Sequence, residues 1–137
     1  MATNFTRRTI LQGLAVGAVP ALLPANAEAR IKYDGKVVGL MSGARALVET
    51  LLAEGCECVF GIPGAQENEL WDAMKSRDLP YLFVTHEFSA STMADGYARA
   101  TGKPGVISVV PGPGLTNSLT GMGEALLDSI PMVCIVG

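Results

Sequence analysis

The chain is poor in the residues from which many active sites are assembled. It has a single histidine, His86, and three cysteines, Cys56, Cys58 and Cys134, among 137 residues. A Ser-His-Asp or Cys-His mechanism would have to use His86, and no G-x-S-x-G elbow marks a nucleophile. An odd number of cysteines does not suggest a disulfide framework. Cys56-Glu57-Cys58 is at most half of a metal site, because no second cysteine pair exists. On a strand, Cys56 and Cys58 share one face, which favours core packing, and no metal-ligand set is assigned. Positive charge is also scarce. Ten Lys and Arg stand against thirteen Asp and Glu, for a formal net charge of −3. No basic face is visible, which argues against nucleic acid as a partner.

What is present describes a globular domain. Apolar residues make up 49% and charged residues 17%, well outside the disordered range. The length suits one domain with a real core. Residues 1–29 read as a targeting segment and are set aside before fold reasoning. Thr6-Arg7-Arg8-Thr9-Ile10-Leu11-Gln12 looks like a twin-arginine export motif. Ile10 to Leu23 is only mildly apolar and is interrupted by Gly13, Gly17 and Pro20, too short and weak for a membrane span. Ala25-Asn26-Ala27 and Ala27-Glu28-Ala29 both fit a small-residue cleavage site. The expectation is export to the periplasm without stable membrane insertion; an ordinary secretory signal or a cytoplasmic chain is the alternative. Cleavage after Ala27 removes Arg7 and Arg8 and takes the formal charge from −3 to −5.

Residues 30–41 form a short arm or linker, and 42–137 hold the domain. Ser42 is a fair N-cap, and Ala44, Leu47, Val48, Leu51 and Leu52 follow at helical spacing. Gly55 stops that helix in the C′ position. Cys56 to Phe60 is a short strand, Gly61-Ile62-Pro63-Gly64 a turn, and Glu67 to Lys75 a helix with Leu70, Trp71 and Met74 inward. Tyr81-Leu82-Phe83-Val84 reads as a buried strand, and Phe88 to Ala100 as a helix. After the Thr101–Gly105 loop, Val106 to Val110 is a continuous apolar strand. Pro111-Gly112-Pro113-Gly114 turns into a helix from Leu115 to Leu127, and Met132 to Val136 is the last strand. Helices alternate with strands that lack polar alternation, the mark of burial on both faces. The fold class is α/β, a parallel sheet flanked by helices on both faces. The chain stops at Gly137, directly after a strand that a further helix would be expected to cover, which suggests truncation.

Three loops, Gly61–Gln66, Thr85–Phe88 and Pro111–Asn117, each follow a strand and so gather on one rim. In parallel sheets that rim binds ligands. Two of the loops are rich in Gly and Pro, which lets backbone approach a flat ligand closely; taken singly, their glycines also fit plain turn geometry. Gly112-Pro113-Gly114-Leu115-Thr116-Asn117 opens a helix, a place for a phosphate. It lacks the third glycine of a dinucleotide fingerprint and the lysine of a P-loop. Glu87 sits where strand hands over to helix. Near a helix N-terminus its charge is stabilised; walled in by apolar groups, it would hold or share a proton near neutral pH. A glutamate that only caps a helix is the alternative.

Five motifs occur in order: Phe60-Gly61-Ile62-Pro63-Gly64; His86-Glu87 with Met93-Ala94-Asp95-Gly96-Tyr97-Ala98-Arg99; Thr101-Gly102-Lys103-Pro104-Gly105-Val106; Gly112-Pro113-Gly114-Leu115-Thr116-Asn117; and Asp128-Ser129-Ile130-Pro131-Met132-Val133. Together they resemble the N-terminal pyrimidine-binding domain of thiamine-diphosphate enzymes, acetolactate synthase and its relatives above all, over about residues 37–137. The resemblance implies the thiamine-diphosphate-binding fold and a 2-oxo-acid decarboxylase or carboligase. It makes Glu87 the catalytic glutamate that hydrogen-bonds N1′ of the aminopyrimidine. In such enzymes that bond would favour the imino tautomer of the aminopyrimidine, which would prepare the thiazolium for deprotonation. It places Pro63 and Gly64 near the pyrimidine and substrate, and Pro113 and Asn117 around the ring. His86 is implied to be structural, not a base. Mg²⁺ and the diphosphate would be held by a second domain, whose G-D-G motif does not occur here, in the same or another subunit. A homodimer or tetramer follows, and FAD is possible in the full-length enzyme. Two departures, Pro111 before G-P-G and Ala65-Gln66-Glu67 in place of a Gly-Ala-rich run, leave decarboxylase, oxidase and carboligase relatives open. The rival expectations are one subunit of a split enzyme and a noncatalytic flavodoxin-like binding module.

Overall fold

The computed structural model describes residues 39–137. The targeting segment and most of the 30–41 arm lie outside the described residues. Ser42 caps the first helix, α1 (Gly43–Ala53), by accepting a hydrogen bond from the Arg45 N–H at 3.2 Å. The helix ends as the glycine signal predicts. Gly55 has φ +80°, the Gly55 N–H donates to the Leu52 carbonyl at 3.1 Å and the Cys56 N–H to the Leu51 carbonyl at 2.8 Å. That pair of bonds satisfies carbonyls the last turn would leave open.

The remaining elements alternate. They are β1 (Val59–Gly61), α2 (Asn68–Ser76), β2 (Tyr81–Phe83), α3 (Glu87–Thr101), β3 (Gly105–Val109), α4 (Pro113–Leu127) and β4 (Met132–Val136). All strand pairs are parallel, and the strand order is β2-β1-β3-β4. The α/β fold with a parallel sheet is therefore as expected. The order reverses between β1 and β3, so the rim above those two strands is the crevice where such sheets take ligands.

Successive residues on a strand face opposite ways, and this divides the core in two. Val59 and Val106 point to α1 and α2, into a cluster with Val48, Leu70, Trp71, Met74 and Leu79. Phe60, Ile107 and Val109 point the other way, against Ala90 and Ala94 of α3, with Met122 of α4 at the margin. β3 is buried along its whole length. Its Ile107 is fully buried, and such burial contributes about 1.5–3 kcal/mol. Helices α3 and α4 pack closely because small residues line the contact. A Cβ on Gly121 would lie 2.3 Å from Ser91 Oγ and 3.0 Å from the Thr92 nitrogen, so no larger residue fits without parting the helices.

Two expectations fail, both because strand identity does not give strand position. The run at Tyr81–Val84 is not a buried strand. β2 is an edge strand, with Leu82 45% and Phe83 54% exposed, and β4 at the other edge is likewise only partly buried. Its aromatic rings find partners sideways instead: Trp71 lies 5.5 Å from Tyr81 and 5.1 Å from Phe83, centroid to centroid. The second failure concerns Cys56 and Cys58. The strand begins only at Val59, so period-two alternation does not govern them. Cys56 packs against the α1/α2 cluster and Cys58 against the α3 cluster. All three cysteines are free thiols. Burial pushes each thiol up, and for Cys58, with Cys56 beside it, up to about 11.

Candidate functional site

The rim above β1 and β3 carries the three loops named from sequence. Glu87 is the first residue of α3. His86 precedes it as the N-cap, in extended backbone, and its Nδ1 accepts from the Phe88 N–H at 3.1 Å. The histidine thus satisfies a free N–H of the first helical turn. Its ring is used as a cap, in keeping with a structural role. Glu87 is half-buried, and its carboxylate faces the start of α4. Asn117 Nδ2 donates to Glu87 Oε2 at 3.2 Å. These residues are thirty positions apart, and the crossover of the chain brings them together.

The other oxygen, Oε1, has no donor among the described residues. It faces bare backbone: a Cβ placed on Gly114 would lie 3.5 Å from it and 2.7 Å from Val110 Cγ2. Across the same valine, a Cβ on Gly64 would lie 1.9 Å from Val110 Cγ1 and 3.2 Å from Glu67 Oε2. Val110 is therefore clasped by two glycines, one from each Gly-Pro loop. Pro63 and Pro113 stand exposed beside them, and Asn117 is exposed one helical turn into α4. Gly112 holds φ +71° and ψ −117°, which glycine adopts without strain, and this lets the chain turn sharply from β3 into α4. The turn is closed by the Leu115 N–H donating to the Val110 carbonyl at 3.0 Å.

Glu87, Asn117, Pro113 and Gly114 are thus gathered at one point, with Pro63 and Gly64 on the far side of Val110. A carboxylate oriented through one oxygen and open at the other, beside side-chain-free backbone, can form a directed hydrogen bond to a flat heteroaromatic ring. A proton would move along that bond once a ring was seated against the open oxygen. Sequence reasoning missed Val110, which read only as the end of a strand. It also missed Glu67, a helix-start residue that proves to be buried; a charged side chain at such a position gives no sequence signal of burial. Among the described residues, no group of three or more His, Cys, Asp or Glu side chains is arranged to hold a metal ion.

The sequence has known relatives. The family model for the thiamine pyrophosphate enzyme, N-terminal TPP binding domain, matches residues 41–137. The chain belongs to this family. Within it, similar proteins include the acetolactate synthase large subunit of Buchnera aphidicola subsp. Acyrthosiphon pisum, 46% identical over 99 residues, which are 72% of this chain and 17% of the relative. The Escherichia coli K12 acetolactate synthase isozyme 2 large subunit is 47% identical over 97 residues, 71% of this chain and 18% of the relative. A probable 2-ketoarginine decarboxylase of Pseudomonas aeruginosa is 43% identical over 95 residues, 69% of this chain and 17% of the relative. The chain thus spans less than a fifth of the length of these relatives. Among the described residues, no helix is long and apolar enough to cross a membrane.

Proposed function

We propose that this domain supplies the pyrimidine-binding half of a thiamine-diphosphate site in a 2-oxo-acid decarboxylase or carboligase. The observation that carries the reading is Glu87, oriented by Asn117 through Oε2 and open at Oε1 beside Gly114. Glu87 would meet N1′ of the aminopyrimidine through Oε1 and hold or release the proton there. Asn117 would keep the carboxylate from turning away. Pro63, Gly64, Pro113 and Gly114 would present close, side-chain-poor backbone to the ring and exclude water from it. When bound, thiamine diphosphate supplies the carbon nucleophile for the 2-oxo acid carbonyl and the electron sink after CO₂ leaves.

The diphosphate and Mg²⁺ would be held by another domain, of the same or a partner subunit, in a dimer or tetramer; FAD would be a matter for that larger assembly. The relatives' names frame the reaction class, acetolactate synthesis and 2-oxo-acid decarboxylation. Residues 1–29 would act as a twin-arginine signal and direct the protein to the periplasm. The reading is tested by supplying the complete assembly with thiamine diphosphate, Mg²⁺ and a panel of 2-oxo acids that includes pyruvate and 2-ketoarginine. Cofactor-dependent CO₂ release is expected. Release that does not depend on the cofactor, or none with any 2-oxo acid, would sink it.

A further inference from the structure

The rim holds a second carboxyl, and it is more deeply buried than the first. Glu67 is 2% exposed. It occupies the N-cap position of α2, with φ −111° and ψ 11°, yet its side chain makes no capping bond to its own helix. A glutamate at a helix start ordinarily turns toward the free N–H groups of that helix or toward water. Glu67 turns backward instead. Its Oε2 accepts from the Gly64 N–H at 3.2 Å, while the Glu67 N–H donates to the Gly64 carbonyl at 3.1 Å. The turn of residues 64–67 is therefore tied twice, once by backbone and once by the carboxyl.

The carboxyl also reaches the far end of the sheet. A Cβ on Gly137 would lie 2.5 Å from Glu67 Cγ, 2.9 Å from Cδ and 3.0 Å from Oε1. Glu67 thus extends from the loop after β1, past the tip of β3, to the end of β4, where a side chain on residue 137 would crowd it. Its Oε1 is buried and has no hydrogen-bond partner. Leaving a buried acceptor unpaired costs free energy, so the group is not explained by capping or by packing alone. What it does touch is the turn that rests on Val110, and Val110 in turn rests against Gly114 and, beyond it, Glu87.

We propose that Glu67 is a positioning residue that sets the height of the Pro63–Gly64 turn over Val110, and with it one wall of the pyrimidine site. This rests on the reading of that site given above. Glu67 need not touch the cofactor; it acts through the Gly64 N–H.

The test uses the complete enzyme and three variants, with thiamine diphosphate itself as the probe. Glu67→Gln keeps an acceptor for the Gly64 N–H. Glu67→Met keeps the length of the side chain and fills the same space, but offers only a weak acceptor. Cofactor affinity, kcat at saturating cofactor and the melting temperature without cofactor are measured for each. Loss of one such hydrogen bond is worth about a tenfold change. Glu67→Met is expected to weaken cofactor binding by about tenfold with kcat at saturation within about threefold, and Glu67→Gln to restore affinity to within about twofold. Equal affinity in the Gln and Met variants would overturn the proposal. So would equal loss in both, failure to fold included, since that assigns the residue to the core alone. Glu87→Gln separates the two readings: it lowers kcat by about 10²–10⁴ if the pyrimidine assignment holds, whatever the variants at position 67 do.

Discussion

Asn117 Nδ2 donates to Glu87 Oε2 across 3.2 Å, from the second turn of α4 to the first residue of α3. The bond leaves the carboxylate one committed oxygen and one open oxygen, the arrangement a directed proton transfer needs. In the complete enzyme, Glu87→Gln should lower kcat by about 10²–10⁴, the range for a positioned acid–base group, without moving the melting temperature. Asn117→Ala should lower kcat less, because it frees the carboxylate without removing it. Turnover by the glutamine variant at the native rate would remove Glu87 from the chemistry.

Val110 sits between two glycines that have no room for a methyl group. Gly64→Ala places its Cβ 1.9 Å from Val110 Cγ1, and overpacking of this kind costs about 1–3 kcal/mol. Val110→Ala in the same chain should recover much of that loss, since neighbouring changes are not additive. Thermal melts of the two single variants and the double variant measure the coupling. Strict additivity would mean that the loop and the strand tip do not bear on each other.

The half-buried thiols and one half-buried phenol predict alkaline instability. Burial raises Cys58 to about 11, and burial together with its hydrogen bond to Glu57 raises Tyr97 to about 12. A group whose folded value lies above its unfolded value binds its proton more tightly when folded. Its stabilisation is full below the unfolded value and is lost as the pH climbs toward the folded one. Denaturant midpoints should therefore hold steady to about pH 8.5 and fall from there toward pH 11. Thiol labelling of the folded protein at pH 8 should be slower than that of the unfolded chain. Cysteines that label equally fast in both states would contradict the burial.

Export is separable from everything above. If residues 6–12 form a twin-arginine signal, replacing Arg7 and Arg8 together by lysine should retain the protein in the cytoplasm, read by cell fractionation. Unimpaired export would leave an ordinary secretory signal or none.

Much of the fold was legible because its signals are local. Ser42 and Gly55 marked the two ends of α1 from a few neighbouring residues each, and the five ordered motifs carried the family. What stayed hidden depends on position across the sheet. Tyr81–Phe83 has the composition of an interior strand, and only the strand order makes it an edge. Cys56 and Cys58 part company because the strand starts three residues later than its apolar run. Glu87 was found from its place at a strand–helix junction. Its bond to Asn117 was not, since no periodicity links residues thirty apart. Glu67 was hidden because burial of a charged side chain is decided by the slots that Gly64 and Gly137 leave open.

The close approach of Ser91 and Gly121 lies four residues past Glu87 on one helix and four past Asn117 on the other. Four residues are one turn, about 6 Å of rise. The two helices therefore behave as the arms of a caliper, pivoted at the serine–glycine contact, with the carboxylate and the amide as its tips. Widening the pivot by a single methyl group would spread the tips and slacken their grip, although the added atom would lie a full turn from the chemistry.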